Sequence, residues 1–241
     1  MTVYSNEFYE TNKEGSSRSA GVVVPLVMDL VNPNSVIDVG SGVGTWLSVF
    51  EGHGVKDIIG VDGDYVDRSR LEIPKDRFIA ADLREPLHLT RKFDLVVSLE
   101  VAEHLPSDCA DAFIASLTRL GDVVLFSAAI PLQGGTNHVN EQWPDYWAHH
   151  FATLGFVPVD CIRRKIWRNS DVEWWYAQNL LVFVADEMLA NYPRLQHEFE
   201  LMGTEQLALV HPQKYLYCIQ WGEELQRSLA EAQAESREGE G

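Results

Sequence analysis

Five short apolar runs, each closed by a glycine-bearing or polar turn, restrict what this chain can fold into more than any other feature. They cover residues 36–39, 58–61, 78–81, 95–99 and 123–126. A strand with one wet face alternates apolar with polar residues, so runs that are apolar throughout are expected to be buried on both faces. Helical patterns lie between them. Residues 16–31 (SSRSAGVVVPLVMDLV) carry serines suited to a cap, and Pro25 inside the pattern is expected to kink or divide that helix. Further helices are expected from Thr45 to about Glu51, after Asp64, and from about Asp108 to Leu120, with irregular chain around Pro86. Alternating strands and helices of this kind predict an α/β fold with a Rossmann-like, doubly wound, mostly parallel sheet.

Beyond residue 130 the pattern changes. A polar loop over 131–140 precedes a helix expected over 141–154, and residues 156–162 and 180–184 read as two strands joined by an aromatic-rich excursion. These would close a sheet of about seven strands with a C-terminal antiparallel hairpin. Residues 186–241 read as helical, the last twenty as an exposed helix fraying at ESREGEG. The expected organisation is a single catalytic domain over 1–241. It comprises an N-terminal helical lid (1–31), the Rossmann-like core (32–185) and a C-terminal helical extension (186–241).

Charge and cysteine usage narrow the partners. With 19 Lys plus Arg against 36 Asp plus Glu, the formal net charge is −17. Such a surface repels phosphate backbones and anionic lipid, so neither nucleic acid nor membrane is expected as a partner. A cationic small molecule is not opposed. Cys109, Cys161 and Cys218 are odd in number and lack metal-type spacing, and the N-terminal residues are unlike a secretion signal, which together point to the cytoplasm. A monomer or homodimer is expected, and no metal-ligand cluster stands out.

The segment VIDVGSGVGTW (residues 36–46) places Gly40, Gly42 and Gly44 between a strand and a helix. Glycine admits positive φ and lets the backbone approach a ligand closely, beside free N–H groups at the helix start. A dinucleotide loop, GxGxxG, would require glycine where Thr45 stands. Acids then recur at successive strand ends: Asp38, Asp62 in GVDG, Asp82 and Glu100. Each alone is explained as a helix cap. Together they would line one edge of a parallel sheet, where ligands of such folds bind. Asp62, eighteen residues past Gly44, suits ribose hydroxyls and would repel a 2′-phosphate, which disfavours NADP.

VIDVGSGVGTW, GVDGDY, AADLREPL and FDLVVSLEVAEHLP resemble, over about residues 36–130, the successive motifs of class I S-adenosylmethionine (SAM)-dependent methyltransferases. The resemblance implies contacts from Asp38, Gly40, Gly42 and Gly44 to the methionine part, with Trp46 beside them. It implies Asp62 and Gly63 on the ribose, Asp82 and Leu83 on adenine, and Glu100 and Val101 flanking the sulfur. GGTNHVNEQWPDYW and VEWWYAQNLLVFV look like a bacterial subgroup found near glycan and natural-product (secondary metabolism) genes.

Methyl transfer is an in-line displacement, so the protein mainly positions the nucleophile, with a general base where the acceptor is a hydroxyl or ammonium. Candidates above the strand ends are His104, His138, Glu141 and Tyr176, with Tyr146 and His149 less favoured; His104 serves equally well as a packing residue. Tyr4, Phe8, Tyr9, Trp174, Trp175 and Tyr176 are candidates for an aromatic lid over the sulfonium. Arg18 is a candidate partner for the SAM carboxylate. The expected function is transfer of the SAM methyl to a small-molecule hydroxyl or amine. The alternative within the same fold is an azetidine-2-carboxylate synthase, which acts on SAM alone: its own amine attacks the γ-carbon and methylthioadenosine leaves.

Overall fold

The computed structural model describes residues 6–202 and 206–238, with side chains from residue 14 to residue 233. The chain divides into two units, Met1–Leu209 and Val210–Gly241. The first holds a seven-stranded sheet in the order β3-β2-β1-β4-β5-β7-β6. Its strands are β1 (Ser35–Val39), β2 (Asp57–Asp62), β3 (Phe78–Ala80), β4 (Leu95–Leu99), β5 (Val123–Ser127), β6 (Phe156–Val159) and β7 (Leu181–Ala185). β1 to β5 pair in parallel, and β7 runs antiparallel to both β5 and β6. The fold is the expected Rossmann-like sheet with an antiparallel end.

Strand alternation sorts the apolar side chains into two cores. On β5, Val123 and Leu125 join one cluster while Val124 and Phe126 join the other; β7 repeats this with Val182 and Val184 against Leu181 and Phe183. Successive residues of a strand point to opposite faces, so an all-apolar strand feeds both. The first face is covered by α1 (Asn6–Val31), α2 (Thr45–Gly52), α6 (Trp174–Asn179) and α7 (Pro193–Leu201), contributing residues such as Val23, Leu47, Tyr176 and Leu195. The second is covered by α3 (Ala110–Leu120) and α4 (Pro144–Thr153), through Phe113, Leu117 and Phe151. Phe151 stacks on Phe183 at 3.9 Å between centroids, 9° from parallel.

Four sequence expectations are corrected. α1 starts ten residues before Ser16 and continues through Pro25 undivided. No helix follows Asp64: Asp67 accepts from the Ser69 N–H at 2.9 Å in a side-chain turn, which competes with helix, and only the short 3-10 turn Lys75–Arg77 appears. α4 begins at Pro144 rather than 141, because proline favours the first helical position and holds Trp143 extended at ψ 151°. β6 stops at Val159, where Asp160 turns back to pair with the buried Arg163 in α5 (Arg163–Ile166).

The C-terminal stretch expected to be helical is a 3-10 segment Asp186–Asn191, α7, and, in the second unit, α8 (Pro212–Glu238). The end of the predicted fraying tail, 239–241, and Tyr4 lie outside the described residues, as do the side chains of Phe8 and Tyr9. No helix among the described residues is long and apolar enough to cross a membrane.

Candidate active site

Because β1 to β5 are parallel, their C-terminal ends share one edge, and the residues singled out by spacing collect there. Beyond β1 the chain turns on Gly40, Gly42 and Gly44, with φ of 90°, 54° and 88°. These lie in the left-handed region that side chains resist. Two of them are also crowded: a Cβ on Gly40 would stand 2.2 Å from Val101 Cγ2, and one on Gly44 would stand 2.9 Å from Ile73 Cγ1. A Cβ on Gly42 would meet nothing within 4 Å, so its bare face opens outward. Gly40 and Ser41 donate to the Val61 carbonyl at 2.7 and 3.1 Å, which ties the loop to β2.

Asp62 is the knot of this loop. Its Oδ2 accepts from the Gly42 N–H at 2.7 Å, and its Oδ1 accepts from the Gly63 N–H and the Tyr65 hydroxyl, both at 2.6 Å. Tyr65, which spacing did not single out, therefore faces the candidate ribose acid. Asp38 is buried on β1, and no described residue hydrogen-bonds its carboxylate. Burial, and then the charge of Asp62, hold its pKa well above the usual carboxylate range. Ser41 Oγ is buried and unpartnered as well. A buried acid, an unpartnered hydroxyl and an open glycine face fit a ligand that carries both a cation and polar groups.

Asp82 follows β3 on a half-exposed turn, where Arg84 pairs with both its oxygens at 2.6–3.1 Å. Hydrogen bonds from Arg84 hold its carboxyl down at about 2. A cleft of about 250 Å³ opens beside it, with apolar walls from Val61, Ile79, Ala81, Pro86 and Leu87. Leu83 packs against the second core.

Glu100 terminates β4 with φ of 54°, an unusual conformation for a non-glycine residue. Its carboxylate accepts from Gln133 Nε2 at 2.9 Å and from Asn179 Nδ2 at 3.0 and 3.3 Å, and its N–H donates to Ser127 Oγ at 3.1 Å. Burial raises its pKa despite these donors. Gln178 extends the network through Gln133 Oε1 at 3.1 Å.

Of the proposed catalytic groups, His104, His138 and Glu141 are brought together. The two rings meet edge to face at 4.8 Å, and His138 Nδ1 lies 2.9 Å from Glu141 Oε1. His104 reaches solvent, yet partial desolvation of its ring and then the neighbouring His138 hold its pKa below the usual histidine range. Tyr176 is in α6, hydrogen-bonded to Ser16 at 3.2 Å and edge-on to Trp46 at 5.2 Å. Burial pushes its phenol up to about 12, so it stays protonated at neutral pH and is unsuited to act as a base. Arg18 is committed to Glu173 at 2.8 Å. Tyr146 and His150 sit on α4, His150 against Asp111 at 2.7 Å.

No metal-ligand cluster stands out in the sequence, but the fold brings three candidate ligand groups together. Donor atoms of Glu103, His104 and His138 lie within 4.8 Å of one another. The loop 131–140 folds back so that Val139 and Asn140 donate to the Glu103 carbonyl at 2.8 and 3.0 Å. Residues 34 positions apart thus become neighbours, which no local spacing reveals.

A family model described as a methyltransferase domain matches residues 17–176, about two thirds of the chain. The chain belongs to that family. SAM is the cofactor of the class I methyltransferases that its motifs resemble. Among solved structures the chain is similar to SAM-bound CalS10, an amino pentose methyltransferase from Micromonospora echinaspora involved in calicheamicin biosynthesis (15% identity, TM-score 0.54, 76% of this chain and 97% of that one). It is similar also to magnesium protoporphyrin IX methyltransferase (ChlM) from Synechocystis PCC 6803 with bound SAH (22% identity, TM-score 0.50, 70% and 83%). Streptomyces venezuelae DesVI is matched over 54% of this chain and 58% of its own length, at 24% identity and TM-score 0.45. The likenesses to CalS10 and ChlM are likenesses of fold. No curated protein sequence matches the chain.

Proposed function

We propose that this chain binds SAM along the edge formed by Asp38, the 40–44 loop, Asp62 and Glu100, and transfers its methyl group to a small-molecule hydroxyl or amine. The observation that carries this reading is Asp62, whose carboxylate joins the glycine loop to the end of β2. Bound SAM supplies an electrophilic methyl on a sulfonium. The chain's own groups then have definite tasks. Asp38, buried without a described donor, meets the cationic part of the methionine moiety, and the open face of Gly42 lets the backbone approach it. Asp62 exchanges its Tyr65 contact for a ribose hydroxyl, and the cleft beside Asp82 and Leu83 takes a heteroaromatic ring. Glu100 and Val101 close the sulfur end. His104, His138 and Glu141 face the acceptor, where an imidazole of lowered pKa suits proton removal. Tyr176 and Trp46 wall the site.

On this reading the chain is one catalytic unit working in the cytoplasm as a monomer or homodimer. Its acceptor is of the natural-product or glycan type, not nucleic acid. Incubation with SAM and a panel of hydroxylated and amino acceptors tests it. S-adenosylhomocysteine (SAH) is expected only when an acceptor is present, and Asp62→Ala is expected to abolish it. Methylthioadenosine formed from SAM alone would overturn methyl transfer in favour of internal cyclisation.

A further inference from the structure

Glu103 has zero exposure, and neither of its carboxylate oxygens meets a hydrogen-bond partner. A buried carboxylate left this way is costly, and native folds satisfy nearly all such groups. Glu100, near enough for its charge to act on both Glu103 and His138, adds a second buried acid. The donors to the Glu100 carboxylate are the neutral amides of Gln133 and Asn179, so no lysine or arginine hydrogen-bonds either carboxylate among the described residues. Among the described contacts none brings positive charge to either acid.

The imidazoles are prepared to help supply it. A carboxylate only accepts, so the 2.9 Å contact to Glu141 Oε1 puts the proton of His138 on Nδ1 and leaves the Nε2 lone pair free. Glu141 is itself held by the Gly134 N–H at 2.7 Å. An acid behind one ring nitrogen is how ligating histidines are oriented. A Cβ on Gly135 would stand 2.2 Å from that same Nε2, so only glycine leaves room for the ring in this position. Ligands on opposite sides of a first-row ion are about 4.2 Å apart, twice a metal–nitrogen bond. The observed spread of up to 4.8 Å closes with sub-ångström side-chain shifts.

We propose that Glu103, His104 and His138 form a binding site for a divalent first-row transition cation, with Glu141 as the partner that orients His138. Two imidazoles and one carboxylate suit manganese, iron, cobalt or zinc better than the all-oxygen preference of magnesium or calcium. Three protein ligands leave positions for an oxygen of the acceptor. That role, unlike the binding itself, rests on the methyl-transfer reading; it takes the place of proton removal by a free imidazole, and it selects acceptors that present a hydroxyl.

The test uses the full-length protein stripped with chelator and titrated with Co²⁺, followed by visible absorbance, and with Mn²⁺, followed by electron paramagnetic resonance. One equivalent of each is expected to bind. Glu103→Gln and His138→Ala are expected to weaken binding at least 100-fold, and Glu141→Gln by about 10- to 100-fold, the usual effect of losing such an orienting partner. His138→Ala lies on a loop, so it remains informative if Glu103→Gln fails to fold. No binding of either ion, or binding that His138→Ala leaves unchanged, would overturn the site. Calorimetry with SAH on the stripped protein is run in parallel. Cation binding without SAH binding would uphold the site and remove the methyl-transfer reading; the reverse result would do the opposite.

Discussion

Asn179 Nδ2 donates to both carboxylate oxygens of Glu100, at 3.0 and 3.3 Å, across 79 residues of chain. The contact joins the end of β4 to the end of α6, two residues before β7, so the lead-in to the antiparallel end of the sheet takes part in holding the site. A hydrogen bond to a charged group contributes roughly 1.5–3 kcal/mol, and Asn179→Ala is expected to lower the unfolding free energy by about that much. Asn179→Asp, which sets a second carboxylate against the first, should cost more. Urea denaturation of the three proteins checks the order; an unchanged midpoint for Asn179→Ala would mean that Gln133 satisfies Glu100 alone.

The two outer demands on the glycine loop separate experimentally. Gly40→Ala combines a φ of 90° with a 2.2 Å collision with Val101, whereas Gly42→Ala carries only the backbone penalty at φ 54°. The left-handed conformation costs about 1–2 kcal/mol and overpacking a further ~1–3. Gly40→Ala is therefore expected to be the clearly less stable protein in thermal melts. Gly42→Ala should remain folded yet lose SAH affinity in calorimetry, because its new methyl group points into the opening.

Asp82 makes a pH dependence with a definite sign. Its folded carboxyl sits at about 2, below the ordinary value of 3.8, through its hydrogen bonds from Arg84. The contribution of the pair is thus present above about pH 4 and disappears as pH falls through 2. The pair is half-exposed, so the effect is small. Carboxyl chemical shifts followed from pH 6 to pH 1.5 should show Asp82 titrating last among the exposed aspartates, and Arg84→Ala, which keeps the backbone N–H donor, should raise it part of the way towards the ordinary range.

Cys161 is buried, and burial pushes its thiol up to about 12. Thiolate is the reactive form, so iodoacetamide at pH 8 should leave Cys161 untouched in the native protein and label it once urea unfolds the chain. Peptide mass mapping reads the result. Labelling of Cys161 in the native state would show that the first core opens locally.

Much of the fold and of the candidate site's strand-end edge was legible because both rest on local signals. All-apolar strands report burial on two faces, and glycines between a strand and a helix report positive φ, as at Gly40 and Gly44. The acids at strand ends were legible for the same reason, since parallel pairing alone decides that Asp62 and Glu100 share an edge. The surroundings of Glu100 and Glu103 were not. Gln133 and Asn179 reach Glu100 from 33 and 79 residues away, and nothing local marks either as a partner. Glu103 looks like an ordinary solvated loop acid until the return of residues 131–140 covers it. The stretch after Asp64 has helical composition, but the Asp67–Ser69 side-chain turn competes with helix there.

The strand order at the antiparallel end has a consequence for how the protein is made. β6 leaves the ribosome before β7, yet among the described residues β7 is its one neighbour in the sheet, and β7 is also what covers the outer edge of β5. Until residue 185 has emerged, a nascent chain carries an unpaired apolar edge and a stranded segment with nothing to hydrogen-bond to. Translation that stops short of Leu181 should yield an aggregating product rather than a smaller stable core.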